Sequence, residues 1–233
     1  LEEQKMILER NNFVDIKQIT NDLKGSPFEG QVENLKELAQ LYQLRHSGVN
    51  EIGTKLENLD DEYSMNYDHN PIHHMEERMK SVRSLAGKVV KKGLSMDLDT
   101  IRKNIQDIGG IRVITNYIDD VYRVESALTQ QSDVTLLKRK DYIKNPKPSG
   151  YRSLHLVVSV PVFQSNGVFD VPVEVQLRTI GMDMWASLEH KLRYKTNVPK
   201  EKVDEHAGNL KEYAGELYNI ETKMQAIFED LQG

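Results

Sequence analysis

Val173-Glu174-Val175-Gln176-Leu177-Arg178 alternates apolar and polar residues at every step. Successive side chains of a strand point to opposite faces, so this stretch predicts a strand with Val173, Val175 and Leu177 in a core and Glu174, Gln176 and Arg178 displayed on the other side. A related segment, Asp107-Ile108-Gly109-Gly110-Ile111-Arg112-Val113-Ile114, closes a helical stretch and opens another strand. If the two strands share a sheet, two carboxylates and two guanidiniums converge on one surface. Metal-assisted chemistry on phosphates uses that grouping.

Outward from these strands the pattern is mixed. Gly110 to Asn116, Thr135 to Leu137, Ser153 to Phe163 and Phe169 to Thr179 read as strands, with an amphipathic helix over 119–131 carrying Val121, Val124 and Leu128 inward. Asn166-Gly167 between the last two strands is a hairpin signal. The expected fold class is therefore α/β (α+β), a mixed β-sheet flanked by helices. Upstream, 1–24 reads as a helix closed by Gly25-Ser26-Pro27, and a long helix follows, striped by Val49, Ile52, Leu56, Leu59 and Tyr63 up to Asn70-Pro71. A further helix is expected over 72–92, with Met75, Met79, Val82, Ala86 and Val89 apolar and Lys80, Ser84, Lys88 and Lys91 opposite. A short helix over 99–107 comes before the first strand, and a helix over 180–195 follows the last. Pro199 then opens a terminal helix in which Val203, Ala207, Leu210, Ala214, Leu217, Met224, Phe228 and Leu231 keep a heptad-like spacing broken only at Glu221. That stripe packs on the N-terminal helices or forms a subunit interface. The expected division is N-terminal helices 1–70, a catalytic unit 71–195 and a C-terminal helix 196–233.

The 233 residues contain no cysteine, which removes disulfides, thiolate metal sites and a thiol nucleophile. With no membrane span or signal peptide visible, a cytoplasmic location is expected. The net charge of −5 argues against a general nucleic-acid coat. Two basic windows interrupt it: Arg78, Lys80, Arg83, Lys88, Lys91 and Lys92, then Lys138, Arg139, Lys140, Lys144, Lys147 and Arg152. Such windows suit a compact polyanion such as a nucleoside triphosphate, or are simply solvated faces.

The loop Lys144-Asn145-Pro146-Lys147-Pro148-Ser149-Gly150-Tyr151-Arg152-Ser153 joins stiff turn residues to lysines and an aromatic face. It reads as a nucleotide loop or as an ordinary β-connection. Asp107 and Glu174 together suit Mg2+, which takes one or two carboxylates plus substrate phosphates. Taken singly, Asp107 is a turn residue and Glu174 a surface residue. His69, His73 and His74 form the sole histidine cluster and lack a fixed acidic partner in the sequence. Neither a P-loop nor a dinucleotide fingerprint is present.

Asp107-Ile108-Gly109-Gly110-Ile111-Arg112, Asp141-Tyr142-Ile143 through Gly150-Tyr151-Arg152-Ser153-Leu154-His155, Glu174 through Thr179, and Trp185-Ala186 through Glu189-His190 occur in one order. In this combination the chain resembles the synthetase domain of the RelA/SpoT family, and in size the stand-alone small alarmone synthetases. The resemblance implies a nucleotidyltransferase-like fold and transfer of the ATP β,γ-pyrophosphate to the ribose 3′-hydroxyl of GTP or GDP, giving pppGpp or ppGpp plus AMP. It places Arg78 and Arg112 about adenine, and Lys80, Ser84 and Lys88 at the ATP phosphates. Asp107 matches a Mg2+ ligand, and Glu174 the acid that ligates Mg2+ or activates the 3′-hydroxyl. Tyr151 matches a guanine-stacking residue, with Lys147, His155 and Gln176 on the acceptor side. Asp183 stands where relatives often carry Asn, which changes the contact offered to guanine. Homo-oligomerisation, as a tetramer, is implied as well, and a single-stranded RNA regulator is an open partner. No His-Asp pair occurs, so synthesis without hydrolysis is expected. The competing reading is a non-catalytic guanine-nucleotide or RNA binding module on the same fold.

Overall fold

The structure, a computed structural model, describes residues 7–9, 19, 21, 35–194 and 200–232. Its centre is a six-stranded mixed sheet of β1 (Leu8–Glu9), β2 (Ile72–Met79), β3 (Gly109–Thr115), β4 (Thr135–Asp141), β5 (Leu154–Gln164) and β6 (Gly167–Thr179), in the spatial order β1-β2-β3-β6-β5-β4. The β3–β6 pair is parallel, whereas β2–β3, β4–β5 and the β5–β6 hairpin are antiparallel. The β-hairpin forms at the expected turn, with Gly167 at φ +141°.

Helices α1 (Leu35–Asn66) and α4 (Ile118–Thr129) cover one face of this sheet. Val49, Ile52 and Leu56 of α1 and Val121, Val124 and Leu128 of α4 pack with Ile111, Val113, Val173, Val175 and Leu177 in one buried core. The period-two reading of β6 holds: all three of its expected core residues are fully buried. A second core joins the first half of α1 to α2 (Val82–Lys91) and α3 (Leu98–Asn104) through Leu38, Leu41, Leu85, Val89 and Ile101. Burial of each such side chain contributes about 1.5–3 kcal/mol.

The expected helix over 72–92 is corrected: Ile72–Met79 is strand β2, and only Val82–Lys91 is helical. His73-His74-Met75-Glu76-Glu77-Arg78 carries good helix formers, but β3 offers it an antiparallel partner, with Met75 opposite Val113 and Arg78 opposite Gly110. Tertiary pairing outweighs a propensity preference of a few tenths of a kcal/mol per residue. The helix start is set by Ser81, whose side chain accepts from the Ser84 N–H. β4 also runs on past Leu137 to Asp141, an exposed edge strand guarded by Lys138, Arg139 and Lys140.

The expected helix over 1–24 and its closure at 25–27 lie largely outside the described residues; within them, Leu8–Glu9 is strand and Ile19 is helical and buried. Pro199 lies outside them too. Past it, the C-terminal segment is α6 (Lys200–Glu205) and α7 (Ala207–Gln232), behind α5 (Ile180–Tyr194). The stripe on α7 divides. Ala214, Leu210 and Leu217 pack on Trp185, and Phe228 stacks on Tyr117 at 4.3 Å, while Met224 and Leu231 are exposed.

Candidate active site

The uncovered face of the sheet carries two rows of residues fixed by strand register. One row runs Lys140, His155, Gln176, Arg112, Glu76 across β4, β5, β6, β3 and β2; the next runs Lys138, Val157, Glu174, Gly110, Arg78. Paired residues on neighbouring strands share a face, so the charged members form the floor of a cleft. Gly110 sits beside Glu174, where an added Cβ would lie 2.6 Å from the Glu174 carbonyl oxygen. Glycine there lets β3 and β6 close beneath the carboxylate.

Asp107 reaches the cleft from the loop ahead of β3. Its Oδ2 is held by Lys88 from α2 and by Lys80 at 3.3 Å from the end of β2. Lys80 and Lys88 thus converge, but from a strand end and a helix rather than one helix face. Burial pushes the Asp107 carboxyl up; the Lys88 hydrogen bond and the two lysine charges outweigh it and hold the group below the usual aspartate range. Its Oδ1 is buried and has no hydrogen-bond partner.

Glu174 is held differently. Gln176 Nε2 donates to its Oε2 at 2.8 Å, and His155 Nδ1 stands 3.4 Å from Oε1. The other His155 nitrogen meets the Tyr151 hydroxyl at 2.7 Å, and that hydroxyl accepts from Arg178 Nη2, also at 2.7 Å. Because an ionised carboxylate only accepts, the neutral ring is assigned Nδ1–H toward Glu174, and Nε2 then takes the tyrosine proton. Burial raises the Glu174 carboxyl, as does nearby Asp107, but His155 and Gln176 outweigh them, so the group is ionised at neutral pH. Arg178 also donates to Gln176 Oε1 at 3.1 Å and to Asp183 Oδ1 at 2.9 Å, and Arg112 Nε lies 3.5 Å from the same Asp183 oxygen.

Two cavities open on this floor. The first, about 270 Å³, is lined by Arg78, Lys80, Arg112 and Gln176 among others; the second, about 380 Å³, by Lys88, Lys92, Lys138, Lys140, Tyr142 and Lys147. Asp107, Glu174 and His155 line both and so form the shared wall. Two cationic cavities meeting at two carboxylates can bring two phosphate compounds together and place a divalent cation between them. The donor set fits Mg2+: the two acids bring all-oxygen ligands, and the unpaired Asp107 Oδ1 is a buried acceptor in need of a partner. Among the described residues no three His, Cys, Asp or Glu side chains form a metal cage.

Residues 77–199 match the region found in RelA / SpoT proteins. GTP pyrophosphokinase YwaC of Bacillus subtilis (strain 168) is 44% identical over 178 residues, covering 76% of this chain and 83% of that protein. The chain belongs to the RelA/SpoT family. Its fold agrees: small alarmone synthetase 1 from B. subtilis, bound to its product pppGpp, aligns with a TM-score of 0.76 at 33% identity over 85% of this chain and 100% of that one. The same synthetase bound to AMPCPP gives 0.68 at 30% identity over 84% and 98%.

Within this RelA/SpoT region Arg78, Lys80, Asp107, Arg112, His155, Glu174 and Gln176 come together in the first cavity, and Lys88 and Lys147 join in the second. Tyr151 and Asp183 adjoin through Arg178 rather than lining either cavity. Ser84 lines neither; it is exposed at the head of α2, bonded to Ser81. The histidine cluster separates: His69 pairs with Asp120 at 2.8 Å, while His73 and His74 contact each other. Sequence reading placed Lys92, Lys138 and Lys140 in basic windows but not in the site. The i, i+2 spacing of Lys138 and Lys140 was the signal, and it needed β4 to extend that far. Tyr142 stood in a quoted motif but was given no role; the Lys147 ammonium lies between its ring, at 4.7 Å, and that of Tyr151, at 4.4 Å.

Proposed function

We propose that the protein is a GTP pyrophosphokinase, an alarmone synthetase that transfers the β,γ-pyrophosphate of ATP to the 3′-hydroxyl of GTP or GDP. The observation that carries this reading is the pair of cation-lined cavities sharing Asp107 and Glu174 as one wall. The relatives support it, being GTP pyrophosphokinases and a synthetase held with pppGpp or with AMPCPP.

In this reading the ATP adenine lies in the first cavity between Arg78 and Arg112, and its phosphates run past Lys80 to the shared wall, where Lys88 reaches Asp107 from the second cavity. The acceptor occupies the second, with guanine by Tyr151 and Asp183, and Lys138, Lys140 and Lys147 toward its phosphates. The acceptor 3′-oxygen attacks the β-phosphorus, the bond from that phosphorus to the α,β-bridging oxygen breaks, and AMP departs as the hydroxyl loses its proton. Glu174, kept ionised and oriented by His155 and Gln176, stands ready to accept that proton or to hold the metal. Asp107 and Glu174 would hold Mg2+, which when bound screens the phosphate charges that must meet here.

No helix among the described residues is long and apolar enough to cross a membrane, in keeping with a cytoplasmic enzyme. The exposed Ile220, Met224, Ile227 and Leu231 of α7 repeat at three- and four-residue steps, with Tyr213 two turns before them, and support assembly through the C-terminal helix, as a homotetramer by resemblance. Light scattering that gives a monomer mass would remove that part. The main test is chromatography of ATP and Mg2+ with GDP, GTP or GMP. AMP and a 3′-pyrophosphorylated product should form only when an acceptor is present. Nucleotide binding with no transfer product would favour the binding-module reading.

A further inference from the structure

Helix α7 touches the acceptor side through four contacts that the transfer reaction does not itself use. Gly150, at φ +92°, is so close to α7 that an added Cβ would lie 2.8 Å from Ala214. Arg152 stacks its guanidinium 4.0 Å over the Tyr218 ring, and Trp185 Nε1 donates to the Leu210 carbonyl at 2.9 Å. Lastly, the Gly181 N–H donates to Glu221 Oε1 at 2.9 Å, and Thr179 hydrogen-bonds the same carboxylate. Glu221 is the residue that interrupts the apolar stripe of α7.

Those contacts fall on the two segments that carry the acceptor-side residues. Gly150 and Arg152 flank Tyr151, while Thr179, Gly181 and Trp185 surround the corner that bears Arg178 and Asp183. That corner has no loop, since β6 ends at Thr179 and α5 begins at Ile180. Whatever fixes the first turn of α5 therefore sets the angle between Arg178 on the strand and Asp183 on the helix. Thr179 Oγ1 caps the turn from within by accepting from the Met182 N–H at 3.3 Å. Glu221 caps it from outside, a negative group at the positive end of a helix. A side chain on Gly181 would push this carboxylate aside, because its Cβ would lie 2.7 Å from it.

We propose that Glu221 is a positioning residue for the acceptor nucleotide: from the C-terminal helix it fixes the β6–α5 corner and so aims Arg178 at Tyr151 and Gln176. Leucine or methionine, as elsewhere on the stripe, would serve packing alone. A carboxylate here instead bears a desolvation cost, visible as a carboxyl raised by burial against the opposing pull of Thr179, Gly181 and Arg152. The proposal rests on the acceptor base lying by Tyr151, Arg178 and Asp183, which adjoin the two cavities.

The test is steady-state kinetics with each substrate varied in turn, on wild type, Glu221→Ala, Glu221→Gln and Gly181→Ala, with thermal melts of all four. Glu221→Ala should raise KM for the guanosine acceptor about tenfold and leave KM for ATP within about twofold. Glu221→Gln, whose amide oxygen accepts from the Gly181 N–H, should restore the acceptor KM. Gly181→Ala, which displaces the carboxylate without deleting it, should reproduce the alanine split. Equal changes in both KM values, no change in either, or failure of glutamine to restore would overturn the proposal while the transferase reading stands. A wild-type protein that releases no AMP overturns that reading and this one with it.

Discussion

Asp107→Asn separates the chemical role of the cleft from its structural role, because it keeps the shape of the side chain and removes only the charge. Asp107 Oδ2 draws in both Lys80 and Lys88, whose side chains are 24% and 33% exposed. At an effective dielectric near 20, one such pair about 4 Å apart attracts by about 4 kcal/mol, before desolvation and screening are subtracted. With lysines this exposed, the net contribution to folding is about 1 kcal/mol. In a chain of this size that lowers the melting temperature by roughly 2–4 °C.

Turnover should suffer far more. The variant loses one of two carboxylates shared by the cavities, and both lysines lose the anion that orients them. By analogy with removal of one electrostatic group from a preorganised site, kcat should fall about 10²–10³-fold. AMP release measured by chromatography, beside thermal melts, reads both quantities. The sign of the pH dependence gives a further check. Since the folded Asp107 carboxyl lies below its ordinary value of 3.8, its stabilisation is present above that pH and is lost as pH falls through the folded value. The stability gap between wild type and variant should hold from neutral pH to about 4 and close below it. Turnover within about threefold of wild type would refute the reasoning. So would a stability loss above about 3 kcal/mol, which would make Asp107 a buried structural residue instead.

Gly110→Ala should cost about 1–3 kcal/mol in denaturant unfolding and depress AMP release, because the methyl drives β3 away from β6 beneath Glu174; an unchanged unfolding midpoint would count against the packing described. Tyr151→Phe removes the hydroxyl that accepts from Arg178 and donates to His155, so stability should drop by about 1–3 kcal/mol and the acceptor KM rise with the ATP KM unchanged. The reverse split between substrates would place Tyr151 on the donor side. Glu221 carries a raised carboxyl, so wild type loses stability relative to Glu221→Gln as pH rises above the ordinary glutamate value of 4.5. Urea titrations at acid and neutral pH should show the glutamine variant gaining ground at neutral pH, and a flat difference would contradict the sign.

The display of Glu174, Gln176 and Arg178 over a valine floor was legible because strand alternation is local and β6 obeys it. The meeting of Asp107 with Glu174 was legible only as a conditional, since strand pairing is a long-range property. The same limit explains the error at 72–79, where Glu76, Glu77 and Arg78 favour a helix until β3 is known to lie beside them. Ser81, the true helix start, lies inside an apolar spacing that runs from Met75 through Val82, and that spacing hid the boundary. At Glu221 the sequence showed a fault in a heptad-like stripe. Only the packing of α7 on α5 showed that the fault faces a helix terminus.

The two acids at the shared wall are partnered in chemically different ways, and that difference divides their work under the proposed function. Lys80 and Lys88 hold Asp107, and those ammonium groups are also the ones the ATP phosphates would attract. Asp107 must then surrender part of its neutralisation when a polyanion arrives, which makes it the acid that gains most from a divalent cation. Glu174 is held by Gln176, a neutral amide, and by a His155 ring whose far nitrogen is tied to Tyr151. Phosphates compete poorly for such partners, so Glu174 keeps its orientation as the charges assemble. The Tyr151 hydroxyl that fixes His155 belongs to the residue proposed to meet guanine, and Arg178 links it to Asp183. A displaced acceptor base would therefore disturb the very contact that aims the acid. Acceptor recognition and orientation of Glu174 run through one chain of hydrogen bonds, and so correct seating of the base and readiness of the acid are coupled.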